Sequence, residues 1–225
     1  MSEIVDVNEV LAGTRPRLRR VSADEALTDA MNILIVIVAI VFLAPVMLGV
    51  ALAIFAQDGG PVMFAHRRIG RDGRYFYCLK FRSMAADAER RLAELLAHDP
   101  VARAEWDKDH KLRNDPRVTK LGAFLRKSSL DELPQLFNVL RGEMSLVGPR
   151  PIVDAEIPKY GRRFKSYCAV KPGITGLWQI SGRNDVTYRA RVAMDCIYAR
   201  QRNVVMDSLI IAATVPAVLM RRGSY

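Results

Sequence analysis

From Met31 to Ala56 the chain carries 26 consecutive residues without a formal charge, and Asn32 is the only strongly polar side chain among them. As a straight helix at 1.5 Å per residue this run spans about 39 Å, more than the roughly 30 Å hydrocarbon core of a bilayer. A helix buried in a soluble domain is seldom so long and so apolar on every face. A cleaved secretory leader does not fit either, because the run is too long for an h-region, begins 30 residues in and is followed by no small-residue cleavage site. Pro45 sits near the middle of the run. It lacks the N–H that would bond to the Val41 carbonyl, and its ring presses on that carbonyl. A freed carbonyl in lipid needs another partner, so the pattern predicts a sharp bend or a compensating contact there.

Arginines flank the run on both sides, with Arg15, Arg17, Arg19 and Arg20 before it and Arg67, Arg68, Arg71 and Arg74 after it. Basic residues near a membrane end favour the cytoplasmic side, so both ends favour the same side. Two readings stay open on these grounds: a re-entrant helix-break-helix that dips in and returns, and one tilted, kinked spanning helix. A second apolar stretch, Leu209 to Met220, is too short to span; Pro216 interrupts it and Arg221 and Arg222 follow. It reads as an interfacial or a core helix.

The whole chain has 225 residues, enough to bury a core without disulfide staples. Its composition excludes a disordered or collagen-like chain. Cys78, Cys168 and Cys196 form no C-x-x-C pair, and His66, His98 and His110 show no zinc spacing, which argues for a reducing compartment and against a zinc ribbon. The formal net charge of +10 calls for an anionic partner, whether nucleic acid, lipid headgroup or phosphorylated substrate.

Past Gly59-Gly60-Pro61 the sequence turns polar and mixed. Val62–Phe64 and Tyr75–Phe81 read as strands around the turn Arg71-Asp72-Gly73. Ala85 to Leu112 reads as helix, with Asp99-Pro100 opening a second one, and Asn114-Asp115-Pro116 as a turn. The remainder alternates short helices with Gly/Pro-punctuated loops. The expected class is a helix-rich α+β fold with no βαβ rhythm and no dinucleotide-binding glycine fingerprint.

The densest chemistry lies between Arg126 and Pro151. Ser129-x-x-Glu132 has capping-box spacing, and an acidic pair in a first helical turn suits the helix dipole. The same geometry carries a functional reading. Adjacent helical residues point about 100° apart, so Asp131 and Glu132 suit two different tasks. Helix N-termini bind phosphate, and a carboxylate can attack a phosphoryl centre to form an acyl phosphate. Its approach to an anionic phosphate requires a divalent cation and nearby guanidinium groups. Candidates for the cationic role are Lys80 and Arg82 in Lys-Phe-Arg-Ser-Met, Arg126, Arg150 between two prolines, and Arg183 after Pro172-Gly173-Ile174-Thr175-Gly176.

At these residues the sequence resembles the bacterial sugar transferases, the monotopic polyprenyl-phosphate phosphoglycosyl transferases. The resemblance runs from about Thr28 to the C-terminus. It rests on the Pro45-broken apolar helix, Gly60-Pro61-Val62-Met63-Phe64, Arg68-Ile69-Gly70, Lys80-Phe81-Arg82-Ser83-Met84, Asp131-Glu132-Leu133-Pro134-Gln135, Gly148-Pro149-Arg150-Pro151, Pro172–Gly176 and Gly182-Arg183-Asn184, in that order.

The resemblance implies transfer of a sugar 1-phosphate from a UDP-sugar to a polyprenyl phosphate at the inner leaflet. Asp131 would be the nucleophile that carries the phosphosugar and releases UMP. Glu132 would hold Mg²⁺. Lys80, Arg82, Arg126, Arg150 and Arg183 would bind phosphate or nucleotide, and Asp195 would assist at the cation or nucleotide. It also implies a polar tail over residues 1–27 in place of the multi-spanning region of larger members. A re-entrant helix over 28–57 and a cytoplasmic-face catalytic domain over 58–225 with a C-terminal interfacial helix complete the expected layout, in a bacterial inner membrane. Ala44 stands where many members have serine before the proline, so no hydroxyl is available there for the freed carbonyl. The Ala85–Leu112 stretch and the Arg222–Tyr225 ending look most like members that start exopolysaccharide synthesis with glucose or galactose 1-phosphate. Membrane lipids are expected partners, nucleic acid is not, and a homodimer stays possible. The rival functions are a membrane-tethered basic nucleic-acid binder and a noncatalytic scaffold. The aromatics Tyr75, Phe76 and Tyr77 lack an RNA-binding pattern around them.

Overall fold

The computed structural model describes residues 23–109, 112, 115–182 and 186–219. The polar tail as far as residue 22, Asn114, Arg183, Asn184, Met220, Arg221 and Arg222 lie outside the described residues. Two compact units are interleaved along the sequence. The smaller comprises Pro45–Phe64 and Lys80–Leu133; the larger comprises the described part of Met1–Ala44, with Ala65–Leu79 and the described part of Pro134–Tyr225.

The apolar run forms helix α1, Ala23–Asp58, which is long and apolar enough to cross a membrane. Its helical pattern continues through Pro45. The boundary between the units falls between Ala44 and that proline.

In the larger unit one stripe of α1 is buried. Val36 is fully covered and packs with Phe76, Cys78, Leu136, Val139 and Met144. Covering an apolar side chain of this kind is worth about 1.5–3 kcal/mol. Phe76 and Cys78 come from β2 (Tyr75–Phe81), which pairs with β1 (Met63–Ile69); the two are joined by a tight turn at Arg71–Gly73. The period of two along β2 buries Phe76 and Cys78 and leaves Tyr75 and Tyr77 exposed. The first strand thus runs five residues beyond the expected Val62–Phe64; residues 63–67 are exposed on both faces, which blurs the alternation.

Short helices fill the rest of this unit: α5 (Gln135–Leu140), α6 (Ile157–Tyr160), α7 (Phe164–Cys168) and α8 (Leu177–Ile180). The longer α9 (Tyr188–Gln201) and α10 (Val204–Leu219) follow. A second core gathers Ile69, Ile152, Ile157, Phe164, Tyr167 and Val192. On α10, Ile210 is buried against Val147 and Tyr198, while Val205 and Leu209 stay exposed.

One expectation fails here. Strands β3 (Ser145–Val147) and β4 (Gly173–Thr175) pair in parallel, with α6 and α7 between them, so a short β-helix-β connection exists. Three-residue strands inside Gly/Pro loops leave too little periodicity to read. They also give the two Gly/Pro motifs a structural role. The Gly148 N–H donates to the Thr175 carbonyl at 2.9 Å and that of Gly173 to the Pro149 carbonyl at 2.8 Å. A Cβ on Gly148 would run into the Lys171–Gly173 backbone.

In the smaller unit, α2 (Ala88–His98) and α3 (Pro100–Asp109) form the expected helix pair, broken at Asp99, whose carboxylate accepts from the Val101 and Ala102 N–H groups at 2.8 and 3.0 Å. Helix α4, Lys120–Ser128, starts at Thr119, whose hydroxyl accepts from the Gly122 N–H at 2.9 Å. Gly122 lies against the Ser83 backbone, where any side chain would collide. That contact seats α4 on the segment leaving β2.

Candidate active site

The smaller unit holds five of the predicted residues. Lys80 and Arg82 sit at the end of β2 and just beyond it. Arg126 lies in the last turn of α4, and Asp131 and Glu132 follow on a single 3-10 turn, Leu130–Glu132. Ser129 joins the helix to that turn in the left-handed region, at φ 58°. A non-glycine residue there costs roughly 1–2 kcal/mol, a strain that clusters at functional sites. The predicted capping box does not form. Ser129 terminates α4, its side chain caps nothing, and the acidic pair lies outside any long helix. The spacing fitted a cap, but the left-handed residue turns the chain first.

This turn aims both carboxylates at one cation. The Lys80 Nζ donates to Glu132 Oε1 at 2.6 Å and stands 3.8 Å from Asp131 Oδ2. The two acids have different surroundings: the Asp131 side chain is 10% exposed and that of Glu132 37%. Burial pushes the Asp131 carboxyl up from 3.8 to about 6; the Glu132 charge adds to the rise, while Lys80 and Arg126 oppose it. Near neutral pH Asp131 is therefore a largely ionised carboxylate, poorly hydrated and held beside an ammonium group. Desolvation favours nucleophilicity, and the lysine offsets repulsion from an incoming phosphate.

Arg82 forms a second pole. Its guanidinium pairs with Asp58 at the end of α1, whose carboxylate also accepts from the Gly60 N–H at 3.2 Å. The Arg82 Nε and Nη1 are buried with no protein partner. Buried guanidinium donors left free suit a phosphate oxygen. Arg126 is exposed, and its Nε donates to the Ser83 hydroxyl at 2.9 Å. Asp58 and Ser83 were not among the predicted site residues. Asp58 did carry a signal, as the first charge after the apolar run, whereas nothing in the sequence marked Ser83.

Two other candidates, Arg150 and Asp195, belong to the larger unit. Arg150 is exposed between buried prolines, and its charge, after burial, holds the Arg68 guanidinium below its usual range. Asp195 is 2% exposed in the interior of α9, where its carboxylate accepts from the Tyr160 hydroxyl at 2.6 Å. Burial pushes it up from 3.8 to about 7, against the opposing effects of Tyr160 and Arg191. Arg183 lies outside the described residues.

Among the described residues no cluster of three or more His, Cys, Asp or Glu is placed to hold a metal ion. A protein cage is therefore absent there, but Mg²⁺ does not need one. It usually keeps several waters and binds through one or two carboxylates plus substrate phosphates. The part-exposed Glu132 carboxylate beside Asp131 fits that donor set.

Comparison with known proteins gives a consistent family. The model of the family described as bacterial sugar transferase matches residues 23–221. The chain is 55% identical over 170 residues to a UDP-galactose-lipid carrier transferase of Erwinia amylovora, covering 76% of this chain and 36% of that protein. It is 56% identical over 169 residues to an undecaprenyl-phosphate galactose phosphotransferase of Salmonella typhimurium, again covering 36% of the relative. With the exopolysaccharide production protein ExoY of Sinorhizobium fredii it shares 48% identity over 196 residues, 87% of each chain. The chain thus spans little more than a third of the first two relatives and most of the third.

Proposed function

The chain belongs to the bacterial sugar transferase family, and on that premise we propose that it transfers a hexose 1-phosphate from a UDP-sugar to undecaprenyl or a related polyprenyl phosphate. The reading is carried by one observation: a buried aspartate, Asp131, facing Lys80 and followed by a part-exposed glutamate.

An Asp131 carboxylate oxygen attacks the phosphorus that bears the sugar. The bond from that phosphorus to the bridging oxygen breaks, and UMP leaves with the electron pair. The acyl phosphate so formed is then attacked by an oxygen of the lipid phosphate. The polyprenyl diphosphate sugar departs and the Asp131 carboxylate returns. Lys80 and Arg82 hold the phosphate oxygens, the latter through the two donors that protein leaves free. Arg126 adds positive charge beside the same turn. Glu132 would hold Mg²⁺ together with substrate phosphates. A bound Mg²⁺ would supply charge neutralisation at the diphosphate.

The membrane arrangement we propose is re-entrant, at the cytoplasmic face of a bacterial inner membrane, with α10 at the interface. Both ends of α1 carry polar ties. Near its start Asn32 donates to the Ser145 hydroxyl at 2.8 Å, Asp29 accepts from Lys171 at 3.0 Å, and Glu25 pairs with Arg202. At its end Asp58 pairs with Arg82. Basic residues flank the apolar run on both sides, which favours the cytoplasmic side for each end. The names of the relatives speak against the nucleic-acid-binding and scaffold alternatives.

The experiment is a screen of UDP-hexoses with Mg²⁺, read as UMP release with and without polyprenyl phosphate. The proposal requires release of up to one equivalent without lipid and turnover with it. Absence of UMP release from every UDP-hexose, with lipid present, contradicts it.

A further inference from the structure

In the larger unit a cavity of about 550 Å³ opens beside α6 and the start of α9. Its wall is cationic: Lys159, Arg162, Arg163 and Arg189 line it, together with Tyr160 and Tyr188. Among the described residues no carboxylate lines it. The four cations come from two separate stretches of chain, Lys159–Arg163 and Arg189, which the packing of α6 and α9 brings to one concavity.

These charges are not spent on ion pairs. No salt bridge among the described residues includes Lys159, Arg162, Arg163 or Arg189. Lys159 instead places its Nζ over the Tyr188 ring, 4.8 Å from the centroid. The surrounding polar groups are occupied elsewhere. The Tyr160 hydroxyl donates to Asp195 and that of Tyr188 to Glu156, at 2.6 and 3.3 Å. Glu156 in turn stands 3.8 Å from Arg68. Arg150 adds a further positive influence on Tyr188.

Like charges gathered in a concavity repel one another and focus a positive potential. Guanidinium groups there present paired donors that match phosphate oxygens. We propose that this cavity is a second anion site, which takes a phosphate or diphosphate group through Arg162, Arg163 and Arg189. The group belongs either to a soluble nucleotide or to a lipid headgroup. The site stands independently of the role assigned to Asp131, because none of its lining residues is used there.

The test is arginine footprinting with phenylglyoxal on the full chain in detergent, mapped by peptide mass spectrometry. Inorganic pyrophosphate is the probe, and Arg141, exposed and outside the lining, is the reference. Protection of Arg162 and Arg189 by several-fold over Arg141 is expected, and its loss on raising salt to molar concentration follows from screening. UDP in place of pyrophosphate, and vesicles of anionic against zwitterionic phospholipid, separate the two sources. Protection by UDP alone assigns a nucleotide, and protection only by anionic vesicles assigns a headgroup. A double variant, Arg162→Ala with Arg189→Ala, alters exposed side chains outside the cores. It should lose the remaining protection at Arg163. Equal modification of Arg162, Arg189 and Arg141 under every probe overturns the proposal, as does full protection of Arg163 in the double variant.

Discussion

Two buried aspartates, one in each unit, share their burial and differ in their partners. Asp131 is 7% exposed and Asp195 2%, and burial raises both carboxyls, to about 6 and about 7. On burial and proton affinity they are close to interchangeable. Their partners differ. Asp195 sits inside α9, where its carboxylate accepts from the Tyr160 hydroxyl at 2.6 Å and feels the Arg191 charge more weakly than that bond. Asp131 sits on a turn that follows a left-handed serine, with an ammonium group 3.8 Å away and a second carboxylate next in sequence. A hydroxyl fixes a carboxylate in place, whereas a shared cation lets it meet another anion.

The largest effect should follow from Asp131→Asn. The amide keeps the shape and loses the nucleophile, so turnover measured as UMP release falls by at least about 10³-fold. Next comes Lys80→Met, expected to lower turnover about 10²-fold, the scale of one lost electrostatic stabiliser. It also removes the main charge that lowers the Asp131 carboxyl. The acid limb of its pH profile therefore moves to higher pH, a shift that a purely structural role for Lys80 would not produce.

In the unaltered protein that limb should turn near pH 6, where Asp131 loses its proton. The rate at pH 5 is then about tenfold below that at pH 7.5. A flat profile between these values would equate Asp131 with a carboxylate of ordinary acidity.

Asp195→Asn should give the smallest change, with turnover per folded molecule within about threefold of the original, because the amide still accepts from Tyr160. Its signature lies in stability. A carboxyl at about 7 in the folded state against 3.8 unfolded binds its proton more tightly when folded. Its contribution is full below pH 3.8 and is lost as pH rises towards 7. Asp131 acts in the same direction up to about 6. Thermal denaturation of Asp131→Asn and of the double Asp131→Asn, Asp195→Asn variant isolates the contribution of Asp195, and the double variant should show the flatter decline. Identical slopes would mean that Asp195 does not titrate between the two states.

Much of this contrast could be read in the sequence, and the unreadable parts share a cause. The apolar helix, the α2–α3 pair broken at Asp99 and the second strand follow from periodicity and punctuation. Asp131, Glu132, Lys80 and Arg126 stood out by residue type and came together as expected. The capping box misled because Ser129-x-x-Glu132 satisfies its spacing, while Ser129 ends α4 in a left-handed conformation that the spacing does not report. The β3–β4 pair was invisible because its glycines serve backbone contact instead of a periodic face. The resemblance implied that Asp195 assists at the cation or nucleotide. Its burial beside Tyr160 depends on packing between α6 and α9, for which 35 residues of separation give no local sign.

The decisive measurement is a peptide mass map of the full chain after incubation with an accepted UDP-hexose and Mg²⁺, quenched before any lipid acceptor is added. A hexose phosphate on the peptide containing Asp131, removed when polyprenyl phosphate follows and missing from Asp131→Asn, is the expected result. Steady turnover to the polyprenyl diphosphate sugar with that peptide unmodified under rapid quench, or with Asp131→Asn fully active, would contradict it.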